Sequence, residues 1–505
     1  MSLLLYIFLI PLATALVLVF IPSKQQKLIR SLSVFATLVS SIISIILFLT
    51  FDYSTSGLQF EFNRVWIPSL DIRLHFGVDG LNLGLILMGS IVGFVAVSQA
   101  RHVNYKEKTF HILLLLIIGG ILGAFASLDM FFMYALHELA LVPSFLMIGI
   151  WGRGPRRTFA AFQVTIYLTV GAFIALVGLL LLYVKSGASS FDLIKIGSAI
   201  SQNMINKPDQ ITISGLLLLG FGILVSLWPF HSWAPLGYAS APVPTAMLHA
   251  GVIKKFGLYA LLRIVLTLLP EGIAYWANYL ILLALGNILY CGWVAMQQKE
   301  LDKLLGFSSV AHMGFAFIGI ATLNPVGISG SLIIMIAHGF LAALAFGVSG
   351  SIQEKVGTGI MSDLGGLLKK MPFLGTALII AMIAGCGMPG FANFPGELLV
   401  FFGGWKAHQW IIVAAVWGAL VIGAIYMFRA VRSVLHGQTP DRFSNISDIT
   451  SWKHRAPFAL LIFMLILFGI FPHQLTNKFK NQLETIADFS KGNKAIITKS
   501  NDLTP

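Results

Sequence analysis

A succession of apolar runs, each parted from the next by a short polar link, constrains this chain more than any other feature. A helix crossing the hydrocarbon core of a bilayer needs about 20 mostly apolar residues. Fourteen such runs are present, at 3–21, 30–51, 80–99, 110–128, 129–150, 160–184, 210–230, 241–269, 275–297, 304–323, 328–351, 372–402, 409–433 and 456–477. Only 10% of the 505 residues are charged and 57% are hydrophobic, whereas a soluble domain is about 25% charged. In lipid, backbone polar groups must be satisfied within each segment, which selects helices. The expected fold is all-α, a polytopic membrane protein with about 14 transmembrane helices. A soluble globular protein, a disordered chain and a coiled coil are excluded.

The formal charge is +13. On a soluble protein this would suggest nucleic acid. Here the bases lie in links between apolar runs, where they set orientation, because cytoplasmic links carry the excess of Lys and Arg. Assigned to alternate sides, one side receives Lys24, Lys27 and Arg30; Arg101, Lys106 and Lys108; Arg153, Arg156 and Arg157; Lys299 and Lys303; Lys355, Lys369 and Lys370; and Arg429, Arg432, Arg442, Lys453 and Arg455. The links of the other side hold only Arg64, Arg73, Lys185, Lys195, Lys207 and Lys406. This asymmetry places both termini on the base-poor, outer side. The first run has no basic segment before it and is followed by Lys24 and Gln25, so it reads as a retained span rather than a signal peptide.

Two runs are interrupted near their middles. The seventh contains Ser226-Leu227-Trp228-Pro229, and the twelfth contains Gly387-Met388-Pro389-Gly390 and then Pro395-Gly396-Glu397. Proline removes a helical hydrogen bond and glycine loosens the backbone. Paired interruptions in two halves of a chain point to internal repeats around a mid-membrane path. The expected organisation is 1–109 for helices 1–3, 110–270 for a first repeat of helices 4–8, 271–434 for a second repeat of helices 9–13, and 435–505 for helix 14 and the tail.

Ionisable residues within the runs are the candidate site. A charge at the bilayer centre costs about 2.5–3.5 kcal/mol or more, so such residues mark proton or ion routes by default. Glu138 lies in the fifth run, next to Pro143, which is expected to weaken the ladder beside it. Lys254 and Lys255 are adjacent in the eighth, about 100° apart on a helix, with Tyr259 on the face of Lys255. Glu397 follows the twelfth break. His231, His249, His312 and His338 lie within or at the ends of spans, with Ser308, Ser309 and Tyr259 among them. The bland alternatives are a neutral, hydrogen-bonded Glu, snorkelling lysines and core histidines. Cys291 and Cys386 are the only cysteines. That excludes a disulfide scaffold, a Cys-rich zinc site and an iron–sulfur cluster held by this chain. No HExxH, GxSxG, Walker A or strand-borne GxGxxG motif occurs, so no nucleotide, flavin or NAD site is expected here.

Several motifs occur in an order that resembles a known family. They are Phe76-Gly77-Val78-Asp79-Gly80-Leu81-Asn82, His137-Glu138-Leu139-Ala140-Leu141-Val142-Pro143, Trp228-Pro229-Phe230-His231-Ser232-Trp233-Ala234-Pro235, Ala241-Pro242-Val243-Pro244, Ser308-Ser309-Val310-Ala311-His312, Ala337-His338-Gly339-Phe340 and Gly387-Met388-Pro389-Gly390. Over nearly its whole length the chain is similar to the antiporter-like membrane subunits of respiratory complex I, the proton-translocating NADH-quinone oxidoreductase. The resemblance implies two inverted five-helix repeats, discontinuous helices 7 and 12, and a polar axis to which Glu138, Lys255, His312, His338 and Glu397 correspond. It implies no cofactor on this chain. NADH, flavin, iron–sulfur clusters and quinone would belong to partner subunits, with antiporter-like neighbours on either side in a bacterial inner (plasma) membrane. Subunits of multi-subunit sodium/proton antiporters and membrane-bound hydrogenases share the superfamily, and a membrane-arm scaffold with altered pumping is a further alternative. One family feature is missing: the lysine of helix 7 would fall at Leu224, and no Lys or Arg occurs from Pro208 to Ile253. Lys254 or His231 is the expected replacement beside Glu138.

Overall fold

The computed structural model describes residues 2–490 apart from 56, 101, 102 and 104. Arg101, counted above among the orienting bases, and the end of the tail fall outside the described residues. The spans are α1 (Leu3–Phe20), α2 (Gln26–Thr50), α3 (Leu83–Gln99), α4 (Glu107–Ala126), α5 (Met130–Trp151) and α6 (Arg157–Ser186). α7 comes in two pieces, Lys207–Val225 and Trp233–Ser240, followed by α8 (243–268), α9 (Pro270–Gln297), α10 (Leu301–Ala321) and α11 (Pro325–Val356). α12 is also in two pieces, Pro372–Gly385 and Asn393–Trp405, before α13 (Gln409–Leu435) and α14 (Trp452–Ile470). Among the described residues, 11 helices are long and apolar enough to cross a membrane unaided. The shorter α3, the π-interrupted α8 and the broken α12 bring the spans to the expected fourteen.

α11 is the hub. Its apolar window is wholly buried, and it packs on α3, α8, α10, α12 and α14. Peripheral α1, α6 and α14 keep most of their surface for lipid. Polar contacts among the links confirm which of them share a side. Arg30 pairs with Glu107, and Lys108 donates to Val19 O and Ile21 O. Arg153 meets Asp302 at 3.0 Å, Lys355 reaches Ser447 O, and Arg429 reaches Gln298 O. All these belong to the base-rich side. On the other, Lys195 and Arg73 meet Asp71, Lys185 meets Asp209, and Lys478 donates to Phe51 O.

The base-poor side carries structure beyond the spans. Gln59–Ile67 (β1) and Ile72–Val78 (β2) form an antiparallel hairpin through Pro68–Leu70. The all-α reading therefore needs this one addition, for which the alternation in Phe60-Glu61-Phe62-Asn63 supplies the period of two. The hairpin is tied down by His75, whose Nδ1 bonds to Asp192 and whose Nε2 lies 2.9 Å from Glu61. Burial of the ring opposes protonation, but Asp192 and then Glu61 outweigh it, and its pKa is raised. Asp192 also caps the amphipathic helix Leu193–Gln202. A second amphipathic helix, His473–Ser490, packs on α11. Its Lys478 lies over the rings of Phe48, Phe51 and Tyr53 at 5.5, 5.7 and 5.1 Å, and its Phe479 backbone would collide with a Cβ at Gly80. Just before Gly80, Asp79 receives both ends of the Arg263 guanidinium at 2.5 and 2.6 Å. Tyr259 therefore serves Arg263, whose Nε donates to its hydroxyl at 3.1 Å.

Candidate functional site

The two breaks are where the sequence places them, and each is closed by a neighbouring span. α7 leaves helical geometry at Ser226, with φ 73°. Asn287 of α9 completes it: its amide donates to Ser226 O at 3.0 Å and Val310 O at 3.1 Å, and its carbonyl accepts from Trp228 N at 2.6 Å. These bonds satisfy backbone groups that lipid could not. α12 opens at Gly387 and Gly390, with φ 66° and 97°. The Glu397 carboxylate lies against Gly387 so closely that any Cβ there would collide with it. Ala392 N then donates to Leu465 O of α14 at 2.9 Å. α5, by contrast, runs unbroken through Pro143. The expected weakening beside Glu138 does not interrupt it.

α8 supplies the centre. Residues His249–Ile253 and Leu261–Val265 are π-helical, a distortion frequent at functional sites. The π turn shifts the register by one residue and sends the two lysines to different partners. Lys254 Nζ donates to Ser309 O at 2.9 Å and to Ser309 Oγ at 2.5 Å, on α10. Lys255 Nζ donates to Ala250 O at 2.5 Å and lies 2.9 Å from His338 Nδ1, on α11. Both side chains are almost wholly enclosed, at 1% and 0% exposure, too deep for snorkelling.

The row continues. The rings of His338 and His312 are 5.4 Å apart. His312 Nδ1 lies 2.7 Å from Ser308 O and Nε2 lies 2.9 Å from Gly385 O. Two carbonyl acceptors on one imidazole form a setting in which a second ring proton finds a partner. His312 also lines two cavities. One, of about 20 Å³, is shared with Ser309 and His338. The other, of about 10 Å³, is shared with Gly385, Glu397 and Tyr426. Tyr426 of α13 donates to Ser308 Oγ at 3.3 Å.

Lys254, Lys255, His312, His338 and Glu397 are thus brought together in the second half of the molecule. Glu138 is at the other end, with its side chain 31% exposed on the flank of α5 and its Oε1 3.5 Å from His137 Nδ1. Among the described residues neither Lys254 nor His231 forms an ion pair with Glu138. Lys254 points to α10 instead, and the ring neighbours of His231 are Tyr290 and Phe307. Leu224 is buried in the apolar core. His249 is buried between Trp233 and Tyr238. Sequence reasoning missed Asn287, Tyr238, Tyr426 and His137. For Asn287, Tyr426 and His137 the signal is a polar atom inside an apolar run; Tyr238 lies in the link between the seventh and eighth runs.

With this geometry in hand, the chain can be compared with known proteins. The family model described as NADH:quinone oxidoreductase/Mrp antiporter, transmembrane, matches residues 127–423. The NAD(P)H-quinone oxidoreductase chain 4-1 of Synechocystis is 30% identical, over 99% of this chain and 96% of its own. NADH-quinone oxidoreductase subunit M of Rickettsia prowazekii is 30% identical over 92% and 94%. Among solved structures, a chain of respiratory complex I from Thermus thermophilus superposes with TM-score 0.86 at 27% identity, covering 98% of this chain and 99% of that one. A chain of the Mrp complex from Dietzia reaches TM-score 0.85 at 18% identity over 98% and 99%, a likeness of fold.

Proposed function

The chain belongs to the NADH:quinone oxidoreductase/Mrp antiporter family of transmembrane subunits, and from that premise we propose that it is a proton-translocating membrane subunit of an NADH-quinone oxidoreductase, of the subunit M or chain 4 type. One observation carries the reading. Enclosed ionisable groups follow one another from α8 through α11 and α10 to α12, joined by short contacts and two cavities at His312. Each such charge is costly in a membrane, and an idle axis has no reason to keep them.

In this reading the chain holds no redox group. NADH, flavin, iron–sulfur clusters and quinone belong to partner subunits, and their chemistry changes the electrostatics at one end of the row. Lys255 Nζ and His338 Nδ1 lie 2.9 Å apart, within reach of direct proton transfer. Driving charge onto Lys254 disfavours charge on Lys255, because like charges raise each other's cost. The displaced proton moves by His338 and His312 toward Glu397, whose carboxylate takes it at the α12 break. Glu138 is the acidic group at the opposite end.

The test uses the intact complex reconstituted in liposomes. Glu138→Gln and Lys255→Ala are expected to abolish NADH-driven proton pumping while the complex still assembles. Retained pumping in either variant overturns the proposal. The subunits that copurify separate it from a sodium/proton antiporter: quinone-reductase subunits support it, and antiporter subunits oppose it.

A further inference from the structure

Between Glu138 and Lys254 lies a stretch with no acidic or basic partner from α7, because Leu224 is apolar and buried. Near it is a group of enclosed polar side chains that carry hydrogen-bonding atoms with no protein partner. His137, 1% exposed, has its ring stacked on Phe256 of α8 at 4.0 Å and 15°. It therefore touches the residue that follows the lysine pair. Its Nδ1 faces Glu138 Oε1 at 3.5 Å, and neither atom has a hydrogen bond. His249 is 2% exposed, and neither of its ring nitrogens has a partner. The Tyr238 hydroxyl, also buried, lacks one as well.

The geometry orders these groups. The π turn of α8 bonds Lys254 N to His249 O, so the imidazole and the ammonium stem lie one turn apart on adjoining surface. The rings of Tyr238 and His249 are 5.6 Å apart, and Lys254 Nζ is 5.6 Å from the Tyr238 ring centre. A buried polar atom without a partner costs about 1–3 kcal/mol. Several gathered between two ionisable groups are retained for a reason other than stability.

We infer that His137 is a proton carrier linking Glu138 to Lys254 through His249 and the Tyr238 hydroxyl, in place of a cation on α7. The inference rests on the proposed pumping role and adds the route by which Glu138 joins the row. The Glu138 carboxyl gives its proton to His137 Nδ1. The imidazolium releases a proton from its other nitrogen, by water, to His249. His249 passes one, by the Tyr238 hydroxyl, to the neutral Lys254 amine. Each carrier ends neutral, His137 as the tautomer protonated on Nδ1, which a ring rotation or exchange with water resets before the next turnover, and one proton has moved from carboxyl to amine with no bond to carbon made or broken.

The experiment compares Glu138→Gln, His137→Gln, His249→Gln, the double histidine variant and Tyr238→Phe in the whole complex in liposomes. Readouts are assembly, the initial rate of NADH-driven proton pumping and its ratio in H2O and D2O. Each histidine variant is expected to slow pumping by about a hundredfold or more, the scale of losing one positioned proton-transfer group. The double variant should lose no more than the worse single, because the two act in series, and the solvent isotope ratio should rise. Merely structural defects would add and leave that ratio alone; that pattern overturns the inference. Normal pumping in an assembled His137→Gln complex, with Glu138→Gln blocked, overturns the relay and spares the pumping role. Normal pumping in Glu138→Gln removes both. If the histidine variants fail to assemble, Tyr238→Phe decides: it deletes one oxygen, and an unchanged rate and isotope ratio refute the relay.

Discussion

Asp79→Asn is the sharpest probe of how the outer end of α8 is held. The substitution keeps the side-chain shape and an acceptor for Leu81 N, which now bonds to Asp79 Oδ1 at 3.0 Å. It removes the charge that faces Arg263, whose side chain and that of Asp79 are 9% and 4% exposed. The guanidinium would keep only neutral acceptors, the amide oxygen at position 79 and the Tyr259 hydroxyl at 3.1 Å, and its Nη1 would face a donor. Breaking a buried pair from one side costs about 3–5 kcal/mol, because the remaining charge is uncompensated. At about 1.4 kcal/mol per factor of ten, even the lower figure enlarges the open population a hundredfold or more. Hydrogen exchange on the purified complex reads this directly, with accelerated exchange expected in 259–268, in the hairpin strands and in the C-terminal helix packed on Gly80. Adding Arg263→Met to Asp79→Asn should recover most of the protection, since no unpaired charge then remains. Exchange within threefold of the parent in Asp79→Asn, or no recovery in the double variant, would refute the claim that charge pairing holds this end.

Two further outcomes test the outer clasp and the α7 break. The folded pKa of His75 is raised from about 6.5 in an unfolded chain. Its contribution is therefore full below about pH 6.5 and is lost as pH rises through the folded value. Thermal melts of the complex from pH 6 to 9 should show stability falling across that window, and His75→Gln should flatten the fall; parallel profiles would contradict it. Asn287→Leu strips partners from Ser226 O, Val310 O and Trp228 N, at about 1–3 kcal/mol for each buried group left unsatisfied. The melting temperature should drop by several degrees, and an unchanged melt would show that the break closes without Asn287.

The parts legible in the sequence are those that depend on the environment of each residue alone. Twenty-residue runs read as spans because lipid demands it, and Pro229, Gly387 and Gly390 read as breaks because backbone chemistry is local. Lysines at 254 and 255 were recognisable as unusual wherever they pointed. Their partners were not. A π turn at 249–253 costs the sequence no distinctive residue, yet it turned Lys254 to Ser309 and away from Glu138. The hairpin and the two amphipathic helices lie largely outside the apolar runs, where short periodicities are weak beside the long apolar signal. His137 stands beside Glu138 in the sequence, but its stacking on Phe256 is a tertiary fact that only α5 and α8 together create.

The clamp of Lys478 on Phe48, Phe51 and Tyr53, with Phe479 seated on Gly80, has a consequence for biogenesis. Residues near the beginning of the chain wait for residues near its end. During synthesis, twelve later spans must enter the bilayer before the segment behind α2 finds its cover. A polypeptide halted before residue 478 would thus present an open outer flank with its aromatic seat empty, which gives quality control a feature that distinguishes an unfinished molecule from a completed one.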